Sequence, residues 1–315
     1  MARMILIEGF PGGGKSTTAQ FLARVLARRG ARARWIYELE VPNPLVPPVP
    51  AGDYESWEQI VDLRVERWRA FAAAAVDHDV TIIPESALLQ LPVLTMLRRN
   101  VDPGMIAALV NRLVEAAAPL RPILVYLGRS DPEAALRQIG ERRGLSWLLH
   151  SAATNEASPF TQARGLAGFD GLFAYWREHA QLCNTIVKAL DVPKLVLDVG
   201  PAGWAERRRR ICDFADVPFE EEPAPDAAEI DRLKGRYRDG RREATVEVLD
   251  GRLSVRWLFW LASTLLPVRR HVFDLESLPI RVSFDTDATG HVHAFHCTGP
   301  RLVAGTPPGV FERVA

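Results

Sequence analysis

Met4-Ile-Leu-Ile-Glu-Gly-Phe-Pro-Gly-Gly-Gly-Lys-Ser-Thr-Thr-Ala19 is the stretch that decides the architecture. Gly9 and Gly14 frame the pattern G-x-x-x-x-G-K-S, which closes on Lys15 and Ser16. An apolar run, Met4 to Ile7, precedes it, and Thr17 to Arg29 follows with helical character. Strand, glycine-rich turn and helix in that order are what a phosphate-binding loop requires. Glycines reach backbone conformations closed to other residues, so successive N–H groups can turn inward around an anion. The following helix offers its N-terminal N–H groups and positive dipole end to the same anion. On this reading Gly9, Gly12, Gly13, Gly14, Lys15, Ser16 and Thr17 cradle a triphosphate. Lys15 reaches its β- and γ-phosphates, and Ser16 binds Mg²⁺. The competing reading is a glycine-rich turn without a ligand, and the flanking elements argue against it.

Outward from the loop, short apolar runs alternate with helical segments. Ala31 to Tyr37, Val80 to Ile83, Pro122 to Leu127 and Lys194 to Val199 read as buried strands. Asp53 to Val76, Leu88 to Arg99, Pro103 to Ala118, Asp170 to Leu190 and Trp204 to Phe214 read as helices. Asp102-Pro103 and Asp131-Pro132 are helix starts. Such alternation predicts an α/β domain, a parallel sheet with helices on both faces. Val41 to Pro50 is too rich in proline for a helix interior or a central strand and is expected to be a loop. It is either a rigid connector or a wall of a substrate pocket. Gly144 to Ala167 is expected to be irregular.

Phe219 to Asp226 is acidic and proline-containing and reads as a linker. Beyond it the period changes to two. Thr245 to Trp257 alternates apolar and polar residues around Asp250-Gly251, a hairpin signal, and Ile280 to Phe284 alternates again. The domains are therefore 1–217, a linker over 218–228, and a small antiparallel β-domain over 229–315.

With 315 residues, 48% of them hydrophobic, there is enough material for two ordinary cores. Lys plus Arg balances Asp plus Glu at 39 each, which gives no reason to expect nucleic acid or an anionic membrane as partner. The three cysteines, Cys183, Cys212 and Cys297, are scattered, as in a reducing compartment. No leader and no apolar run of bilayer length is evident, so the expectation is a cytoplasmic protein.

A phosphate loop alone admits motors, GTPases, kinases and regulators. The chain carries no N-K-x-D, and no apolar run ends in Asp-Glu in the manner of hydrolytic ATPases. Instead Arg137, Arg142 and Arg143 lie on or just past the helix after the fourth strand. Phosphoryl transfer builds charge on equatorial oxygens, and arginines on a closing segment neutralise it while the closure excludes water. The plainer reading of these arginines is solvated surface charge.

Ile7-Glu8-Gly9 through Lys15-Ser16-Thr17 resembles the opening of the deoxynucleoside kinase and thymidylate kinase group. Val125 to Glu133 resembles that group's fourth strand and next helix start, Ala135 to Arg143 its arginine lid, and Lys194 to Phe214 its last strand and helix. The resemblance implies an ATP- and Mg²⁺-dependent phosphotransferase acting on a small-molecule acceptor. It departs on the acceptor side. Pro84-Glu85-Ser86 stands where deoxynucleoside kinases have E-R-S, so the arginine is missing. Glu38 and Glu40 both compete for the place of the family's general base. Glu85 would hold Mg²⁺ through water or contact the acceptor, unless it is only a carboxylate at a helix start. The acceptor is therefore open between a nucleoside or nucleotide and another alcohol such as a sugar or an antibiotic. A regulatory module that binds nucleotide without turnover is the rival class.

The β-domain loosely resembles lipocalin-like domains appended to bacterial enzymes, through Gly235-Arg-Tyr237, the Asp-Gly hairpin and Val282 to Val292. Packing over the acceptor site, homodimer formation and plain stabilisation are all open to it. His291, His293 and His271 are metal-ligand candidates against the commoner reading of exposed strand histidines.

Overall fold

The computed structural model describes residues 1–46, 56–200, 203–240, 242–259, 261–303, 305 and 309–314, without the side chains of Arg142 and Arg143. Two compact units divide it. One comprises Met1–Glu38 and Asn43–Phe219, the other Leu39–Pro42 and Glu220–Ala315.

The first unit is a parallel sheet with strand order β2-β3-β1-β4-β5 among the described residues. Its strands are β1 Arg3–Gly9, β2 Ala33–Ile36, β3 Thr81–Pro84, β4 Ile123–Gly128 and β5 Lys194–Asp198. With the phosphate loop at the end of its central strand, this is a P-loop kinase-like fold. Alternation along β1 sends side chains to both faces. Met4 and Leu6 join one core, with α2 (Trp57–Ala75), α3 (Gln90–Arg98), α4 (Pro103–Ala117) and α8 (Gly168–Ala189). Ile5 and Ile7 join the other, with α1 (Lys15–Arg28) and α9 (Trp204–Phe214). Burial on both sides is why β1 and β4 read as unbroken apolar runs.

The Asp-Pro starts form as expected. Asp102 accepts from Gly104 and Met105 N–H to open α4, and Asp131 accepts from Ala134 N–H to open α5 (Pro132–Arg143). Asp53 lies outside the described residues, as does part of the proline-rich loop, and α2 opens instead on Ser56, which accepts from Gln59 N–H. The expectation of an irregular Gly144 to Ala167 is overturned. This segment holds α6 (Leu145–Glu156) and α7 (Pro159–Ala163). Its leucines and alanines are good helix formers. Ser158, which reads as a loop residue, caps α7 by accepting from Thr161 N–H. Among the described residues no helix is long and apolar enough to cross a membrane.

The second unit opens with a short helix that its sequence did not announce, α10 (Ala227–Leu233). The strands β6 (Gly235–Asp239), β7 (Arg242–Leu249), β8 (Arg252–Arg256), β9 (Ala262–Arg269), β10 (Val272–Leu275), β11 (Arg281–Thr286), β12 (Val292–Thr298) and β13 (Val310–Arg313) close into an antiparallel barrel. The Asp250-Gly251 hairpin forms as read, with positive φ at both residues (50° and 74°) and Leu249 opposite Arg252. Inside, Phe295 packs on Phe311 at 4.8 Å, Tyr237 at 5.0 Å and Phe284 at 5.5 Å between ring centroids. Tyr237 Oη donates to Leu233 O at 2.7 Å and so ties the end of α10 to the barrel. Aromatic rings thus occupy the interior. His291 and His293 are exposed, and among the described residues no group of three or more His, Cys, Asp or Glu is placed to hold a metal ion. Leu39–Pro42 pairs within this unit. Val41 N–H donates to Arg301 O at 2.8 Å, and Val303 N–H donates to Leu39 O at 2.9 Å.

Phe295 is fully buried at the centre of the aromatic cluster. Phe295→Ala should cost about 3–5 kcal/mol of the barrel's stability in equilibrium urea unfolding followed by circular dichroism. A loss below about 1 kcal/mol would show that the rings do not form its packed interior.

Candidate active site

The site lies at the carboxyl ends of β1, β2 and β3, where ligands bind in open parallel sheets. The loop's shape follows from its glycines. Gly9 has φ 146°, and a Cβ there would lie 2.1 Å from Leu127 O, so no side chain fits between β1 and β4. Gly12 and Gly14 take φ 72° and 90°, left-handed conformations that suit glycine. A Cβ on Gly12 would lie 2.7 Å from Ile139 Cγ1, so α5 is seated directly on the loop. Lys15 is 7% exposed, and its Nζ donates to Phe10 O at 3.1 Å across the turn.

Glu85 follows β3 directly. Its N–H donates to Ile36 O at 3.2 Å, and Ser86 N–H donates to Ile7 O at 3.0 Å, which stitches this corner to both neighbouring strands. Ser86 has φ 60°, a strained conformation for serine and one that concentrates at functional sites. The Glu85 carboxylate is 1% exposed, and neither oxygen has a hydrogen-bond partner. Burial, then the negative charge of Glu38, pushes its pKa up to about 8. The Ser16 hydroxyl, Lys15 and the Trp35 indole lie near enough to favour the charged form, but none closes a hydrogen bond to it.

Glu38 stands two residues past β2 and accepts from Gln90 Nε2 at 3.1 Å. Asn43 sets the chain beyond it by donating to Tyr37 O at 3.1 Å and accepting from Leu45 and Val46 N–H at 2.9 and 3.0 Å. Arg67 clamps the same segment through Asn43 O and Pro44 O.

A second buried carboxylate, Glu8, sits just before Gly9. Burial pushes its pKa up to about 7, against the pull of backbone N–H groups from the start of α3 and of Lys15. It accepts from Leu88 N–H at 2.6 Å and Gln90 N–H at 3.1 Å. Behind α3, the His179 ring stacks edge-on to Trp176 at 4.9 Å, and Trp176 meets Phe10 of the loop at 5.5 Å. Burial drives the His179 pKa down to about 3, so the ring is neutral.

The structure therefore gathers Lys15, Ser16, Glu38 and Glu85. Glu40 pairs through its backbone with Leu302 and belongs with Leu39–Pro42 to the second unit. Arg137 is turned along its own helix, 2.8 Å from Glu133 and over the Phe173 ring at 4.8 Å. The Arg142 and Arg143 side chains lie outside the described residues. Sequence reasoning missed Glu8 and Gln90 as members of the site. A glutamate inside the apolar run of β1 was a signal for the first, since a buried charge needs dedicated partners. Gln90 carried none.

The orphaned Glu85 oxygens beside the Ser16 hydroxyl fit a divalent cation, which would restore the ionised form that burial opposes.

Neither a protein-family model nor a curated protein matches this sequence. Among solved structures, a thymidylate kinase from Candida albicans is 15% identical over 68% of this chain and 91% of its own, with a TM-score of 0.40. A deoxyadenosine kinase from M. mycoides is 17% identical over 68% and 99%, with a TM-score of 0.37. A sugar kinase from Janibacter sp. HTCC2649 is 17% identical over 69% and 96%, with a TM-score of 0.35. Scores this low add nothing to what the strand order and the phosphate loop establish.

Glu85 has its pKa raised from near 4.5 to about 8, so the folded state holds a proton that the unfolded chain releases. Its penalty is absent below about pH 4.5 and grows as pH rises toward about 8. Urea unfolding of the nucleotide-free protein should therefore show stability falling from pH 5 to 8. Glu85→Gln should flatten that fall by on the order of 2 kcal/mol. Parallel pH curves for the two proteins would show that Glu85 ionises freely in the fold.

Proposed function

We propose that this protein is an ATP- and Mg²⁺-dependent phosphotransferase that moves the γ-phosphoryl group to a hydroxyl of a small molecule. One observation carries the reading: the fold brings Glu38 and the unsatisfied carboxylate of Glu85 to the phosphate loop, beside Lys15 and Ser16. A module that only held a nucleotide would need the loop but no second acid aimed at the same place.

The loop N–H groups and Lys15 hold the triphosphate and neutralise charge on the transferred group. Ser16 and Glu85 would hold Mg²⁺, which supplies further neutralisation of the phosphate oxygens. Glu38 takes the acceptor hydroxyl's proton as that oxygen bonds to the γ-phosphorus. The bond to the β,γ-bridging oxygen breaks, and ADP leaves with the electron pair. Glu38 is favoured over Glu40 because it belongs to the same cluster as Glu85. Closure of α5, already seated on Gly12, would bring its arginines toward the phosphates and exclude water. The acceptor side differs from deoxynucleoside kinases, with no arginine in Pro84-Glu85-Ser86, which favours an alcohol other than a nucleoside. A cytoplasmic setting suits such an enzyme.

The test is ATP consumption with Mg²⁺ across nucleosides, nucleotides, sugars and hydroxylated antibiotics. One acceptor class should raise turnover, and Lys15→Ala should lower that turnover at least about 100-fold. Tight nucleotide binding through Lys15 with no acceptor effect would move the chain to the class of regulatory modules.

A further inference from the structure

We propose that Gln90 is the positioning residue for Glu38, and that Glu8 sets Gln90, so that the strand feeding the phosphate loop also aims the base. The inference rests on the reading of Glu38 as general base. A glutamate on a connector has three rotatable bonds, and a general base works only if its oxygen is held within reach of the hydroxyl. Glu38 is only partly buried, so packing alone does not fix its oxygens.

Gln90 supplies the fixing. Its Nε2 donates to Glu38 Oε2 at 3.1 Å. A carboxylate only accepts and an amide donates only through nitrogen, so the orientation of the Gln90 side chain is determined by its partner. That leaves Gln90 Oε1 buried and without a partner, an arrangement that costs stability. An apolar side chain of similar volume would fill this place without the cost. A buried amide with only its donor half engaged is spent on Glu38.

Gln90 is itself anchored from two directions. Glu8, fully buried, takes its main-chain N–H at 3.1 Å and that of Leu88 at 2.6 Å. These are charge-assisted bonds at the first turn of α3, where a carboxylate is also favoured by the helix dipole. His179, wedged against Trp176, lies at the Gln90 backbone on the other side. Glu8 adjoins Gly9 in sequence, so a line of hydrogen bonds runs from the phosphate loop to the base. It keeps donor and base in one frame without involving the loop that follows Glu38.

The experiment is a double-mutant cycle on the full chain with the acceptor found above, using Gln90→Leu and Gln90→Met alone and in a Glu38→Gln background. Both substitutions keep approximate volume and remove the donor, so one remains informative if the other fails to fold. Each is expected to lower kcat about 10- to 100-fold, with KM for ATP changed by less than about twofold. In the Glu38→Gln background the same changes should have no further effect on kcat, because Gln90 acts only through Glu38. Equal losses in both backgrounds, or losses in ATP binding that match those in kcat, would make Gln90 a packing residue and overturn the proposal while the phosphotransferase reading stands. If the unmodified protein turns over no acceptor, that reading fails and takes this one with it.

Discussion

Everything in the first unit is built around a strand that tolerates no side chain at its end. At Gly9 the backbone of β1 runs so close to β4 that a Cβ would stand 2.1 Å from Leu127 O. That approach lets the chain turn out of the sheet at once and return as the N-terminus of α1. The loop between can then present N–H groups rather than side chains to an anion. Because β1 is the middle strand, its residues serve both cores of the domain. Ile5 and Ile7 serve one core and Met4 and Leu6 the other. Glu8, between them, reaches α3.

Two buried carboxylates beside that turn have solved the same electrostatic problem differently. Removing an ionised carboxylate from water is costly unless hydrogen bonds or a counter-charge compensate. Glu8 is compensated by main-chain N–H groups at the start of α3 and works as an internal tie. Glu85 has Lys15 nearby but no hydrogen bond to either oxygen, and it also faces Glu38. Burial raises both pKa values, more so where the partners are missing. The contrast separates an acid tied down by hydrogen bonds from one whose oxygens stay unsatisfied, and it is the difference in partners, not in burial, that separates them.

The second unit owes its form to a different balance. A barrel of short strands removes the free edges that would otherwise pair with other chains. Its interior is small enough for Tyr237, Phe273, Phe284, Phe295 and Phe311 to meet at the centre. Aromatic pairs at such separations add to the burial of large apolar area, which suits a unit of only about 100 residues. The four residues Leu39–Pro42, which follow Glu38 in sequence, add to this unit by pairing with its C-terminal arm.

Much of this was legible in local sequence. Gly9 to Thr17 named its own loop because the phosphate motif depends on residue type and spacing within a single turn. The parallel sheet followed from short apolar runs between helices, and the hairpin at Asp250-Gly251 from a turn that demands positive φ. Pro103 and Pro132 marked helix starts for the same local reason. The helices of 145–163 escaped because small and polar residues are ambiguous until a cap such as Ser158 is seen in place. Only the tertiary structure decided which acids come together. Glu38 and Glu40 are indistinguishable along the chain, yet one lies beside Glu85 and the other pairs with Leu302 of the second unit. Gln90 meets Glu38 across 52 residues of sequence, and Glu8 meets Gln90 across 82. Those contacts arise when β1, β2, β3 and α3 come together. Periodicity and capping are set by neighbours a few residues away, whereas the partners of a buried charge are set by the packing of the whole domain.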